Sequence, residues 1–133
     1  MIRTPEDIYA AFDGKLIGST RMKMYVCDVV SLLPEENISF LTKHCWFISS
    51  MEDAWAFAFT GNDLKNQNLI FLSDELLLQE EDQVHYSIAH EIGHVLLQHK
   101  NAVQAPQTNI EIEKQEKEAD EFAKKYVSPP EVF

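Results

Sequence analysis

The sequence predicts an α+β fold, with a small antiparallel hairpin or sheet packed on two long helices near the C-terminus. Three observations carry this. Residues 80–99 place Val84, Ile88, Ile92, Val95 and Leu96 at helical spacing. Ile112 to Val127 repeats the pattern with Ile112, Ala119, Phe122, Ala123, Tyr126 and Val127. Between the N-terminal third and these helices the period changes to two, in Ala54-Trp55-Ala56-Phe57-Ala58-Phe59. A length of 133 residues suits one domain spanning 1–133.

Along the chain, Thr4 can cap a short helix with Pro5 at its first position and Glu6 and Asp7 at its positive end. Ile8, Ala11 and Phe12 form its apolar side, and Asp13-Gly14 ends it. Gly18-Ser19-Thr20 reads as a loop, and Met22 to Cys27 as a strand or the start of a helix. Pro34-Glu35-Glu36 opens a helix through Ile38, Leu41 and Thr42. Trp46-Phe47-Ile48 is a short apolar run. The 54–59 strand and a second one, Leu69 to Leu72, form a hairpin across a longish loop, Gly61 to Asn68. Ser73 is an N-cap for a turn through Leu78.

The long helix is expected to run from Glu80 to His99, with Glu80, Glu81 and Asp82 complementing its dipole. Gly93 lowers its helix propensity by about 1 kcal/mol relative to Ala, which a close-packing neighbour would offset. Asn101 to Asn109, with Pro106, reads as a polar loop, and Ser128-Pro129-Pro130 stops the last helix.

Composition narrows the function. A net charge of -11 argues against a nucleic-acid binder or a protein recruited to an anionic membrane. The first residues lack a signal-like apolar core, and no apolar run approaches the roughly 20 residues that span a bilayer. Two cysteines 18 positions apart, Cys27 and Cys45, form no disulfide framework and no CxxC pair. A cytoplasmic location is expected.

The chemistry lies in His90-Glu91-Ile92-Gly93-His94, an HExxH motif. Residues four apart share a helix face, so His90 and His94 can present two imidazoles to one divalent ion, with Glu91 within reach of a water on it. Zinc takes such ligands, and a catalytic zinc needs a third from the protein. Glu116 and Asp120, also four apart, can supply it, one binding metal while the other accepts the second ring N–H of a ligand histidine. Glu118 faces elsewhere and is the alternative metal ligand; Glu121 points further to solvent.

From His90 through Glu116-Lys117-Glu118-Ala119-Asp120-Glu121-Phe122-Ala123 to Pro129, the chain resembles the ImmA/IrrE metallopeptidases, specifically over roughly residues 69–130. It departs from them at Tyr126-Val127-Ser128, where an apolar Leu-Leu-Met is usual. The resemblance implies a zincin-like fold of the gluzincin type. One zinc ion would be held by His90, His94 and Glu116, with Glu91 as catalytic base and Asp120 behind the ligands. It also implies a protein substrate, typically a helix-turn-helix repressor of a phage or mobile element, relieved by cleavage.

Glu91 would take a proton from a zinc-activated water and later deliver one to the leaving amine. The edge of the 54–59 strand could hold substrate as an added strand. Tyr25, His44, Tyr86 and Tyr126 are open choices for a second oxyanion donor. The other class of function is a non-catalytic, metal-stabilised regulator that binds a repressor partner. Blander roles fit the remaining polar residues. Glu118 and Glu121 read as a solvated face paired with nearby lysines, His85 and His99 as surface or stripe-edge residues, and His44-Cys45 as ordinary packing.

Overall fold

Helix α1, Pro5–Phe12, begins where Thr4 accepts the Asp7 N–H at 3.1 Å and ends where Asp13 turns left-handed (φ 48°). It is the first element of a computed structural model that describes residues 4–50, 56–59, 67–99 and 108–129. A two-residue strand, β1 (Leu16–Ile17), follows, and then α2 (Thr20–Val30), capped by Ser19. The segment from Met22 to Cys27 is therefore helical. The buried residues of α2, Met22, Val26, Cys27, Val29 and Val30, follow helical spacing rather than alternation. Helix α3 (Glu35–His44) leads directly into β2 (Cys45–Ser50).

The sheet has four strands in the order β1-β2-β4-β3, with β3 at Ala56–Phe59 and β4 at Asn68–Ser73. β3 and β4 pair antiparallel, Phe57 opposite Phe71, as the alternating pattern predicts. The remaining pairs are parallel, Leu16 opposite Phe47 and Phe47 opposite Ile70, which the hairpin alone did not anticipate. A parallel pair needs a long crossover, supplied between β1 and β2 by α2 and α3. The loop expected from Gly61 to Asn68 falls mostly outside the described residues, and so do Ala54 and Trp55.

Cys45 and Phe47 of β2, with Ile70 and Leu72 of β4, are buried at alternate positions, so one sheet face carries the core. Against it pack Ile8, Phe12, Val26, Ile38, Leu41, Ile88 and Ile92 in one continuous cluster. Phe12 meets Phe47 edge-to-face at 5.6 Å. Cys27 and Cys45 are buried and free, and burial pushes their thiols up to about 11 and about 12. The His44-Cys45 pair is thus packing: His44 leans on the Phe40 ring at 5.2 Å.

After β4, Ser73 caps the single turn α4 (Asp74–Leu77), accepting from the Leu76 N–H. Helix α5 covers Glu81–Leu96 and α6 covers Asn109–Tyr126. Helix α5 stops three residues short of the expected His99, because Gln98 adopts φ 57° and the chain folds back. Helix α6 starts three residues earlier than Ile112, at a capping box in which Thr108 accepts the Glu111 N–H while the Glu111 carboxylate accepts the Thr108 N–H. Ile112 is 37 % exposed rather than inward: it lies on the first turns of α6, where no described element covers it. The polar loop expected at 101–109 falls outside the described residues up to 107. Among the described residues, no helix is long and apolar enough to cross a membrane.

Candidate metal centre

The site is built between α5 and α6, which run antiparallel: Tyr86 and His90 face Asp120, and His94 faces Glu116. Close approach depends on small residues. Ala119 and Ala123 form the fully buried line of α6. Gly93 lies so near Phe122 that a Cβ there would stand 3.1–3.3 Å from its Cδ1, Cβ and Cγ. That is the packing partner that compensates for a glycine inside a helix. With a 100° advance per residue, Glu116 and Asp120 fall on one flank of the alanine line, and Glu118 and Phe122 on the other.

His90, His94 and Glu116 converge. The two Nε2 atoms are 3.1 Å apart, His90 Nε2 is 2.9 Å from Glu116 Oε2, and His94 Nε2 is 3.2 Å from Glu116 Oε1. These three residues form a group that could hold a metal ion. The hydrogen bonds behind them test that fit. His90 Nδ1 is 2.8 Å from Asp120 Oδ1, and a carboxylate can only accept, so the ring carries its proton on Nδ1. In the neutral ring the Nε2 lone pair then points into the cluster, towards a second imidazole nitrogen and a carboxylate. Converging electron pairs suit a cation. Ligand atoms on a tetrahedral zinc, at bonds of about 2.0–2.1 Å, would stand roughly 3.3 Å apart, close to the separations seen here.

The electrostatics agree. Burial, and then the negative charge of Glu116, push the Glu91 carboxyl up to about 8. Burial lowers His94, the field of His90 adds to this, and Glu116 opposes it. A bound cation offsets both strains, because it favours an ionised Glu91 and neutral imidazoles.

Asp120 also accepts a hydrogen bond from the Tyr86 hydroxyl at 3.1 Å. Burial, followed by Asp120 itself, pushes that phenol up to about 12. Tyr86 is thereby committed to orienting Asp120. Of the other residues considered as oxyanion donors, Tyr25 stands edge-on to His85 at 5.2 Å and Tyr126 packs on Phe122 at 5.1 Å. Glu118 is not in the converging group; its Oε1 lies 3.0 Å from His99 Nε2.

His99 is not a surface residue. It is 9 % exposed, and its Nδ1 lies 2.9 Å from His94 Nδ1. On a straight helix, five residues on from His94 is about 140° round the axis, so helical extrapolation hid this contact. His85 is half-buried, 3.7 Å from Asp28.

Residues 82–128, about a third of the chain, match the family model described as Peptidase U49. No curated protein and no solved structure matches the chain. The matched span contains all of His90, Glu91, His94, Glu116, Glu118 and Asp120, so the helix pair that builds the site is the part of the chain similar to a peptidase family.

Proposed function

We propose that this chain is a zinc-dependent endopeptidase, with His90, His94 and Glu116 as the protein ligands of one ion and Glu91 as the catalytic base. The observation that carries it is the convergence of two Nε2 atoms and one carboxylate beside a half-buried glutamate, in a segment similar to a peptidase family. The ion, when bound, supplies Lewis acidity that polarises a peptide carbonyl and makes water acidic enough to attack near neutral pH. Glu91 accepts the proton that this water loses and delivers a proton to the amine that leaves. A cation beside it would favour the ionised, proton-accepting form of this carboxyl. Asp120 holds His90 in the orientation and tautomer the ligand role needs, and Tyr86 holds Asp120.

Strand β3 ends the sheet order and lies against α5. An extended peptide added to its outer edge would run beside the site. The resemblance to the ImmA/IrrE metallopeptidases supports a narrower reading, in which the substrate is a helix-turn-helix repressor of a phage or mobile element. The test is co-expression of wild type and Glu91→Gln with candidate repressors. A new fragment that needs Glu91, with zinc content and partner binding retained in the variant, is expected. Cleavage or derepression unchanged by Glu91→Gln would leave a metal-stabilised binding protein as the better account.

A further inference from the structure

The helix that carries both motif histidines ends in a turn that folds back on one of them. Gln98 at φ 57° lets the His99 N–H donate to the His94 carbonyl at 2.9 Å and the Gln98 N–H to that of Val95 at 3.1 Å. This is the pattern of a Schellman motif, made with Gln98 where glycine is usual. It returns the His99 ring to His94, with centroids 5.1 Å apart. His99 is then tied at both nitrogens, Nδ1 to His94 Nδ1 at 2.9 Å and Nε2 to Glu118 Oε1 at 3.0 Å.

We propose that His99 and Glu118 are positioning residues of the metal centre: Glu118, acting through His99, sets the tautomer of His94 that frees its Nε2 for the ion. The proposal rests on reading His90, His94 and Glu116 as ligands, and it follows from donor and acceptor inventory. A carboxylate only accepts, so His99 Nε2 carries the proton that Glu118 receives. In a neutral His99 ring Nδ1 then carries a lone pair, and only an N–H can face it. His94 Nδ1 is therefore the donor, and His94 Nε2 keeps its lone pair, aimed at His90 Nε2 and Glu116 Oε1.

The two ligand histidines are thus set by two carboxylates of the same helix. Asp120 reaches His90 directly, whereas Glu118, on the opposite flank of the alanine line, reaches His94 across one imidazole. Outer partners of this kind orient the ligand ring, and their removal typically weakens metal binding by roughly 10–100-fold.

The experiment pairs long-range 1H–15N correlation spectra of the metal-free, 15N-labelled protein with zinc titration against a competing chelator. Wild type should show His99 protonated on Nε2, and His90 and His94 on Nδ1. Glu118→Leu and His99→Phe should mix the His94 tautomers, leave His90 as it was, and weaken zinc binding roughly 10–100-fold. Glu121→Leu removes the same charge from an exposed site outside the network and should change neither reading. Glu118 is only half-buried, so Glu118→Leu carries the test even where His99→Phe fails to fold. Wild type that binds zinc while Glu118→Leu binds equally well, or a wild-type His94 protonated on Nε2, overturns the relay alone. Wild type that binds no zinc overturns the ligand reading and the relay with it.

Discussion

The layer formed by α1, α2, α3 and the sheet differs from the α5–α6 pair in how its parts are held. In the first, large side chains fill space: Phe12, Phe47, Met22, Ile38 and Leu41 are fully buried, and its two cysteines, Cys27 and Cys45, are kept protonated by burial. In the second, α6 meets α5 through small residues, Gly93, Ala119 and Ala123, and the space beside them holds a polar network from Tyr86 to Glu118. Small residues let two backbones come close enough for short carboxylates on one helix to reach imidazoles on the other. Helix α5 still contributes Val84, Ile88, Ile92 and Val95 to the common core, while its contact with α6 places charge.

Exchanging the damage between the regions gives the largest expected effects. Glu116→Ala should weaken metal binding by more than the roughly 10–100-fold that loss of an outer partner costs, with little change in the melting temperature of the metal-free protein. Phe47→Ala should do the reverse, destabilising the fold by about 3–5 kcal/mol in denaturant titrations while the folded fraction still binds metal. Variants that each lose both properties to the same degree would erase the distinction.

A smaller effect tests how α6 is held. Gly93→Ala gains about 1 kcal/mol of helix propensity, yet its new methyl meets Phe122 Cβ, which moves only with the α6 backbone. Overpacking of about 1–3 kcal/mol less that gain leaves a net loss of roughly 0–2 kcal/mol, together with weaker metal binding, because the same shift carries Glu116 away from the histidines. A stabilised variant with unchanged affinity would show that the close approach does not set the site.

The smallest effect concerns the turn at Gln98. Glycine is the usual residue at a left-handed helix end, so Gln98→Gly should stabilise by about 0.5–1 kcal/mol. Because the turn geometry is retained, zinc affinity should stay within twofold. A drop in affinity would mean that the side chain of Gln98, rather than its backbone, positions His99.

Much of the second region can be read without coordinates. Spacing four apart places His90 over His94 and Glu116 beside Asp120, since both pairs lie within one regular helix. The alternation at 54–59 and at 69–72 likewise yields the antiparallel β3–β4 pair. The misses have separate causes. β1 has two residues and no period to detect, and β2 showed only as the apolar run Trp46-Phe47-Ile48, so their parallel pairing could not be read locally. The capping box at Thr108 and Glu111 was legible, and it marks the true start of α6. His99 was hidden because Leu97-Gln98 contains no glycine to announce a left-handed turn.

What this sequence determines alone is therefore what depends on short separations along the chain. That includes where the two long helices lie to within a turn, which of their residues share a face, and that two imidazoles and a glutamate stand together at the start of the site. Only the tertiary structure decides which α6 carboxylate meets which histidine. It brings Glu116 to the metal-facing nitrogens, gives Asp120 to His90, and sends Glu118 to His99. The physical reason is that helix periodicity defines faces but not the rotation or offset of one helix on another. Here the contact of Gly93 with Phe122 and the reversal at Gln98 set both.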